Sequence, residues 1–197
     1  LGFNILMVIT NYGDGCFRLQ SGEVSVLIDP EGNRLKADLT IFTSADLKES
    51  PSDDPSVIRM PGEYEVDGIE VDGVQAMADS GGDTIKTCYL VRMEEIKVAV
   101  LGQISLEPSA DVYDRLEEPD IVILPIDKQN YLSGELAVKI CKQLEPAVII
   151  PSFLKNDTEA KKAFESKSEV QEKFVCKKKD LIVGKQELVI LEPKRGT

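Results

Sequence analysis

Short apolar segments separated by turn-forming residues run along most of the chain. Residues 16–20 alternate apolar and polar positions, and residues 24–28 follow after Ser21-Gly22-Glu23, which predicts a β-hairpin. A second hairpin is predicted over residues 61–74, where strict alternation turns at Asp67-Gly68. Further strands are expected at residues 4–10, 37–42, 57–60, 84–91, 96–103, 119–125, 146–153, 173–176 and 187–191.

Two segments have helical rather than strand periodicity. Residues 133–144 place their apolar side chains on one face, which predicts an amphipathic helix. A shorter helix is expected at residues 158–165, with Asn156 and Glu159 at the spacing of a capping box. Because the first of these helices lies between two buried strands, the pattern indicates a mixed α/β fold.

Length and charge restrict the class of protein. The chain has 197 residues, which predicts a single domain over residues 1–197, and its net charge is -12. A balance this acidic argues against a nucleic-acid partner, because neutralising phosphates requires clustered cations. From residue 155 onward there are 11 Lys and Arg and 8 Asp and Glu, so the acidic excess lies in the first part. That excess is interpreted as a solubilising surface, while a bound cation or a basic partner stays open.

The chain has the features expected of a cytoplasmic protein without membrane segments. Residues 2–9 are apolar but lack a basic leader and a small-residue cleavage site, so no secretory signal is expected. No apolar run approaches the length of a bilayer span. The four cysteines are scattered without a Cys-x-x-Cys pair, which favours reduced, half-buried thiols over a zinc site.

Several motifs together resemble one known family. They are Tyr12-Gly13-Asp14-Gly15-Cys16-Phe17, Ile28-Asp29-Pro30, Thr43 to Glu49, Pro61 to Val66, Leu101-Gly102-Gln103 and Ile150 to Phe153. Their order from about Ile5 to Pro193 resembles the metallo-β-lactamase superfamily, in its small lactonase-like branch of zinc-dependent hydrolases. The resemblance implies an α/β four-layer αββα sandwich, in which two mixed β-sheets are flanked by helices.

The resemblance also implies where the metal ligands of the family fall in this chain. The family's Tyr-Gly-His-Ser-Cys-Phe segment has its histidine at Asp14 and its serine at Gly15, and its Thr-His-x-His-x-Asp-His loop begins at Thr43. The degenerate metal-site positions are Asp14, Ser44, Asp46, Lys48, Glu49, Ala78, Asp79, Gln103 and Phe153. The chain contains no histidine at all. Gln103 stands where the family's aspartate bridges two metals, and a neutral amide supplies no charge to offset their repulsion.

Four of these positions still carry carboxylates, which are the ligands of hard cations. They are Asp14, Asp46, Glu49 and Asp79, and if they converge they form a site for Mg²⁺, Ca²⁺ or Mn²⁺. Lys48 opposes such a site, since its ammonium repels a cation and is expected to pair with Asp46 or Glu49. We therefore expect a metal-free pocket with no catalytic residue and no cofactor, although Mg or Mn at the carboxylates stays an alternative.

The sequence accordingly favours a non-catalytic pseudo-hydrolase that binds an unknown small molecule or protein. The alternative is a hydrolase of a phosphoester or lactone that uses carboxylate-bound Mg or Mn. Metal-independent catalysis by Lys48 with a carboxylate is a further alternative. A last one is a subunit whose role is assembly into a homo-oligomer.

Overall fold

The computed structural model describes residues 6–32, 34–49 and 52–194, and β-strands form most of its regular structure. The strands are β1 (Met7–Gly13), β2 (Cys16–Ser21), β3 (Val24–Ile28), β4 (Leu39–Ile41), β5 (Ser44–Asp46), β6 (Val57–Ile58), β7 (Gly62–Val66), β8 (Ile69–Gln75), β9 (Thr84–Met93), β10 (Ile96–Val100), β11 (Ile121–Pro125), β12 (Val148–Ser152), β13 (Val170–Gln171), β14 (Phe174–Cys176), β15 (Glu187–Leu188) and β16 (Ile190–Leu191). The helices are α1 (Ala110–Arg115), α2 (Gly134–Leu144) and α3 (Thr158–Ala163), with a 3₁₀ turn at Lys178–Asp180.

The strands form two large mixed sheets. The first has six strands in the order β14-β1-β2-β3-β4-β6. The second has eight, in the order β15-β12-β11-β10-β9-β8-β7, with β5 paired to β9 outside that path. Both predicted hairpins are present, as β2–β3 and as β7–β8. Strands β10, β11 and β12 are parallel neighbours, as their near-continuous burial requires.

One apolar core lies between the sheets and a second lies under the helices. The first joins inward-facing residues such as Phe17 and Ile41 to Tyr89 and Ile123 of the other sheet. The second packs α1, α2 and α3 on the opposite face of the eight-stranded sheet. Strictly alternating strands can bury one set of side chains in each core, which is why β9 contributes Tyr89 to one and Leu90 to the other.

This architecture confirms the predicted sandwich of two mixed sheets with helices outside. In the part of the chain that the structure describes, however, all three α-helices lie on the side of the eight-stranded sheet. The predicted helix at residues 133–144 is α2, whose N-cap Ser133 accepts a hydrogen bond from the Leu136 backbone amide at 3.2 Å.

Several local predictions are wrong. Residues 43–49 were expected to be a loop, but β5 occupies their first half because it pairs with the exposed start of β9. The capping box at α3 is absent, since Asp157 is the N-cap and makes no side-chain cap. Helix α1 was not predicted, because its six residues are too few to show a helical period. Residues 4 and 5 of the first predicted strand lie outside the described residues.

The strand directions decide where chemistry can be placed. β8, β10, β11 and β12 run in the same direction, so their carboxyl ends meet at one edge of the eight-stranded sheet. β1, β3 and β4 likewise end together in the other sheet. The loops that carry the motifs follow these ends, and contacts such as that of Gly102 with Thr43 join the two edges.

None of the helices in the described ranges has the length and apolar character needed to cross a bilayer. The four cysteines are free thiols and all are buried, more deeply than the half-burial expected from the sequence.

Candidate functional site

A partly buried carboxylate lies at the centre of the joined edges. Asp29 follows β3, and its oxygens accept hydrogen bonds from the Thr43 backbone amide at 2.7 Å and from the Thr43 hydroxyl. Burial raises the pKa of the Asp29 carboxyl, while the hydrogen bonds of Thr43 and the side chain of Gln103 lower it in part. Asp29 therefore fixes the start of the Thr43–Glu49 segment to the end of β3.

Gln103 joins this network to a lysine. Its backbone carbonyl accepts a hydrogen bond from Lys86 Nζ at 2.7 Å. Lys86 lies on β9 directly opposite Ser44 of β5. An ammonium group thus contacts the backbone of Gln103, where the resemblance implies the family's metal-bridging aspartate, and it opposes the approach of a cation.

The three charged positions of the Thr43–Glu49 segment do not converge. Asp46 Oδ1 accepts the Lys48 backbone amide at 2.8 Å. The Lys48 ammonium pairs with Asp83 and not, as expected, with Asp46 or Glu49. The Glu49 carboxylate lies 3.6 Å from Arg59 Nη1 instead. The prediction that Lys48 pairs with Asp46 or Glu49 is therefore wrong. The pairing of β5 with β9 brings the turn at residues 79–84 beside Lys48, so Asp83 is its partner.

Asp79 is bound by the loop that follows β10. Its Oδ1 accepts hydrogen bonds from the Ser105 backbone amide and hydroxyl, both at 2.7 Å. Its Oδ2 accepts the Leu106 amide at 3.2 Å. These donors occupy both oxygens of the carboxylate, and the neighbouring Ala78 is exposed and offers no ligand.

Phe153, where the resemblance implies the family's last histidine, places an aromatic ring at the end of β12. It follows β12 in the left-handed region, with a φ of +56°. Its ring lies against the backbone of Gly15, so closely that a Cβ on that residue would stand 2.2 Å from Phe153 Cζ. The ring also packs on Tyr131, with a centroid distance of 4.4 Å and an interplanar angle of 33°.

A groove of about 820 Å³ lies beside this aromatic pair. Tyr12, Asp14, Tyr131 and Phe153 line it together with residues from the loops after β11 and β12 and from the end of the chain near Lys194. Asp14 is exposed and makes no ion pair among the described residues. The groove therefore combines an aromatic wall with one free carboxylate.

The residues present do not fit the dinuclear metal centre of the family. Within residues 6–32, 34–49 and 52–194, no three His, Cys, Asp or Glu side chains lie together as ligands of one ion. The carboxylates of Asp46, Glu49 and Asp79 are bound by different neighbours, and Asp14 faces the groove.

Sequence reasoning missed several groups that the fold brings to this edge. Tyr131 lies in an irregular loop with no periodicity, so nothing marked it as the partner of Phe153. Lys86 lies in the strand predicted at residues 84–91, but its place opposite Ser44 required the β5–β9 pairing. Asp29 is part of the Ile28-Asp29-Pro30 motif. Its place in that motif, before Pro30, was the one feature of the sequence that marked it.

Asp29 should give stability an unusual dependence on pH. Its pKa is higher in the folded than in the unfolded chain, so the folded state gains a proton first as pH falls. Its contribution to the free energy of unfolding is therefore largest below its unfolded pKa and is lost as pH rises through the folded one. In urea unfolding, we expect the free energy of unfolding that Asp29→Asn loses relative to wild type to be smaller at pH about 7 than at pH about 4.

Asp38→Asn provides the matched control for this experiment. The Ser25 hydroxyl and backbone amide lower the pKa of Asp38, so its contribution has the opposite sign and is lost as pH falls through its folded pKa. If the difference in the free energy of unfolding between wild type and Asp29→Asn does not change with pH, Asp29 has the same pKa in the folded and unfolded chain, and the prediction is wrong.

The described residues combine a sandwich of two mixed sheets with an edge at which no three potential metal ligands lie together. The family model of the beta-lactamase superfamily domain matches residues 8–152. The chain therefore belongs to the metallo-β-lactamase superfamily, and the resemblance inferred from its motifs is confirmed. None of the curated proteins has a significantly similar sequence.

Solved structures share the fold at low sequence identity. A proposed Zn-dependent hydrolase of the superfamily from Thermotoga maritima is 19% identical, with a TM-score of 0.73 over 94% of this chain and 98% of that one. The metallo hydrolase Igni18 from the archaeon Ignicoccus hospitalis is 17% identical, with a TM-score of 0.66 over 87% and 99%. The metallo-beta-lactamase fold protein YhfI from Bacillus subtilis is 9% identical, with a TM-score of 0.65 over 96% of this chain and 97% of that one.

Proposed function

We propose that the protein is a non-catalytic member of its superfamily that acts by binding a ligand in the groove beside Phe153. The observation that carries this proposal is the separate engagement of the carboxylates at the positions where the resemblance implies metal ligands. Asp79 is held by Ser105 and Leu106, and Glu49 lies near Arg59. Gathering them around one ion would cost the hydrogen bonds of Asp79, at about 1.5–3 kcal/mol for each bond to a charged group, and would separate Glu49 from Arg59.

The groove supports a binding role because it is large enough for a small organic molecule. Its volume of about 820 Å³ lies within the range of ligand pockets, and its walls mix aromatic rings with a few polar groups. The competing hypothesis is a hydrolase of a phosphoester or lactone using carboxylate-bound Mg or Mn, as the hydrolase descriptions of the fold neighbours suggest. Assembly into a homo-oligomer is a further role, which light scattering of the purified protein tests.

Metal binding separates the first two hypotheses. We expect Mg²⁺, Ca²⁺, Mn²⁺ and Zn²⁺ at about 1 mM to leave the melting temperature of EDTA-treated protein within about 1 °C. A site with a Kd of about 10 μM would stabilise the folded state by about 2.7 kcal/mol, or roughly 5–10 °C for a chain of this size. Differential scanning fluorimetry measures the shift, and elemental analysis of the purified protein measures retained metal.

Two variants make the metal experiment specific. Asp46→Asn removes a carboxylate from the Thr43–Glu49 segment, and Asp67→Asn removes one from the exposed β7–β8 turn. A large Mn²⁺ stabilisation that Asp46→Asn abolishes and Asp67→Asn retains would overturn the non-catalytic proposal in favour of the hydrolase.

A further inference from the structure

The aromatic end of the groove has the composition of a site for organic cations. Tyr131 and Phe153 present a tilted pair of half-buried rings with centroids 4.4 Å apart, and Tyr12 lines the same groove. The faces of aromatic rings carry partial negative charge and attract ammonium groups within about 6 Å.

Carboxylates reinforce the negative potential at this end. Burial raises the pKa of the Tyr131 phenol, and nearby carboxylates raise it further, in the order Asp127, Asp14 and Asp29. Asp29 is bound by the neutral donors of Thr43, and Asp14 makes no ion pair in the described part of the chain. The charge of Asp14 is therefore not cancelled by an ion pair within the described residues, and the whole chain carries a net charge of -12 that favours the approach of a cation.

Two lysines also line the groove and must be weighed against these charges. Lys155 Nζ lies 3.0 Å from Asp127 Oδ2, so these two groups largely neutralise each other. Lys194 lines the groove without an ion pair among the described residues, and its charge weakens the attraction for a cation.

We infer that this groove binds an organic ammonium ion, with the cationic group against the Tyr131–Phe153 rings and Asp14 as its counter-charge. The inference rests on the proposed function and specifies the ligand class of the same groove. A quaternary or primary amine satisfies it, whereas a phosphoester or a lactone carries no cation for the rings.

Choline and its uncharged isostere 3,3-dimethyl-1-butanol provide the test. Titration of the full chain with each at up to about 10 mM, followed by tyrosine fluorescence and by isothermal calorimetry, measures affinity. Tyrosine fluorescence is a suitable signal because the chain has no tryptophan and five tyrosines. We expect choline to bind at least about tenfold more tightly than the alcohol, and the preference to fall as salt is raised.

Variants locate the site. Asp14→Asn should weaken choline binding by about threefold to fivefold, and asparagine tolerates the left-handed φ of +47° at this position. Asp67→Asn is the matched control, because Asp67 is exposed with a φ of +50° in a turn outside the groove. Tyr131→Leu should weaken binding by about tenfold, and Lys194→Gln should strengthen it by about twofold.

Equal affinity for choline and the alcohol, or no binding of choline at all, would overturn the inference. So would a choline affinity that Asp14→Asn leaves unchanged. These results are distinct from a failure of the proposed function, which the Mn²⁺ experiment reports. A groove that binds a neutral or anionic compound but shows no preference for choline over the alcohol would leave the proposed function standing while refuting the ammonium site.

Discussion

Gly102→Ala should lower the free energy of unfolding by about 2–5 kcal/mol, as measured by urea denaturation. Gly102 has a φ of +66°, where a residue with a Cβ costs about 1–2 kcal/mol. The added Cβ would stand 2.4 Å from the Cβ of Thr43, which is fully buried. Moving Thr43 would weaken both of its hydrogen bonds to Asp29 and leave a partly buried carboxylate with fewer donors, at about 1–3 kcal/mol more.

Gly82→Ala separates the two causes. Gly82 has a similar φ of +59°, but a Cβ there would meet nothing within 4 Å. We expect this variant to lose only the backbone contribution of about 1–2 kcal/mol. If both variants lose the same free energy, the contact of Gly102 with Thr43 contributes nothing, and the link between the two sheet edges is weaker than the packing indicates.

Apolar periodicity and turn-forming residues predicted most strands of the two sheets. A strand that buries one face has alternating apolar positions, and a strand that buries both faces has a continuous apolar run. The β7–β8 hairpin turns at Asp67-Gly68 as predicted. β5 was missed because Ser44-Ala45-Asp46 has no strand propensity of its own and is ordered by pairing with β9. Helix α1 depends in the same way on packing, through the buried Val112 and Tyr113.

The candidate site was predictable as a set of positions but not as a set of contacts. The family motifs placed Asp14, Gln103 and Phe153 at the ends of strands, and the structure brings those strand ends to joined edges. The partner of Lys48 could not be predicted, since Asp83 approaches it only through the turn before β9. Local sequence gives the charges near a residue, whereas the pairing of distant strands decides which of them it meets.

Two residues that the resemblance places at altered positions of the family pattern are physically linked. The resemblance implies a histidine of the family at Phe153 and a serine at Gly15. The Phe153 ring occupies the space in which a Cβ of residue 15 would lie. A phenyl ring at this position therefore requires a glycine opposite it, which explains why Tyr131 and Phe153 can stack at the groove.

Gly15→Ala should accordingly destabilise the protein by about 2–4 kcal/mol in urea denaturation. Its φ of +81° accounts for about 1–2 kcal/mol, and the clash of the new Cβ at 2.2 Å from Phe153 Cζ adds a cost of overpacking. Gly68→Ala is the matched control, because Gly68 has a φ of +78° and no atom within 4 Å of a built Cβ. It should lose only the backbone contribution.

A double-mutant cycle tests whether the ring is the cause. Phe153→Ala removes the ring, so Gly15→Ala introduced into that background should cost only about 1–2 kcal/mol, as in Gly68→Ala. The two changes should therefore be coupled by about 1–2 kcal/mol, with the double variant more stable than the sum of the single effects predicts. Additive losses would mean that Phe153 can rotate away from Gly15 at little cost, and the aromatic wall of the groove would then not depend on the glycine.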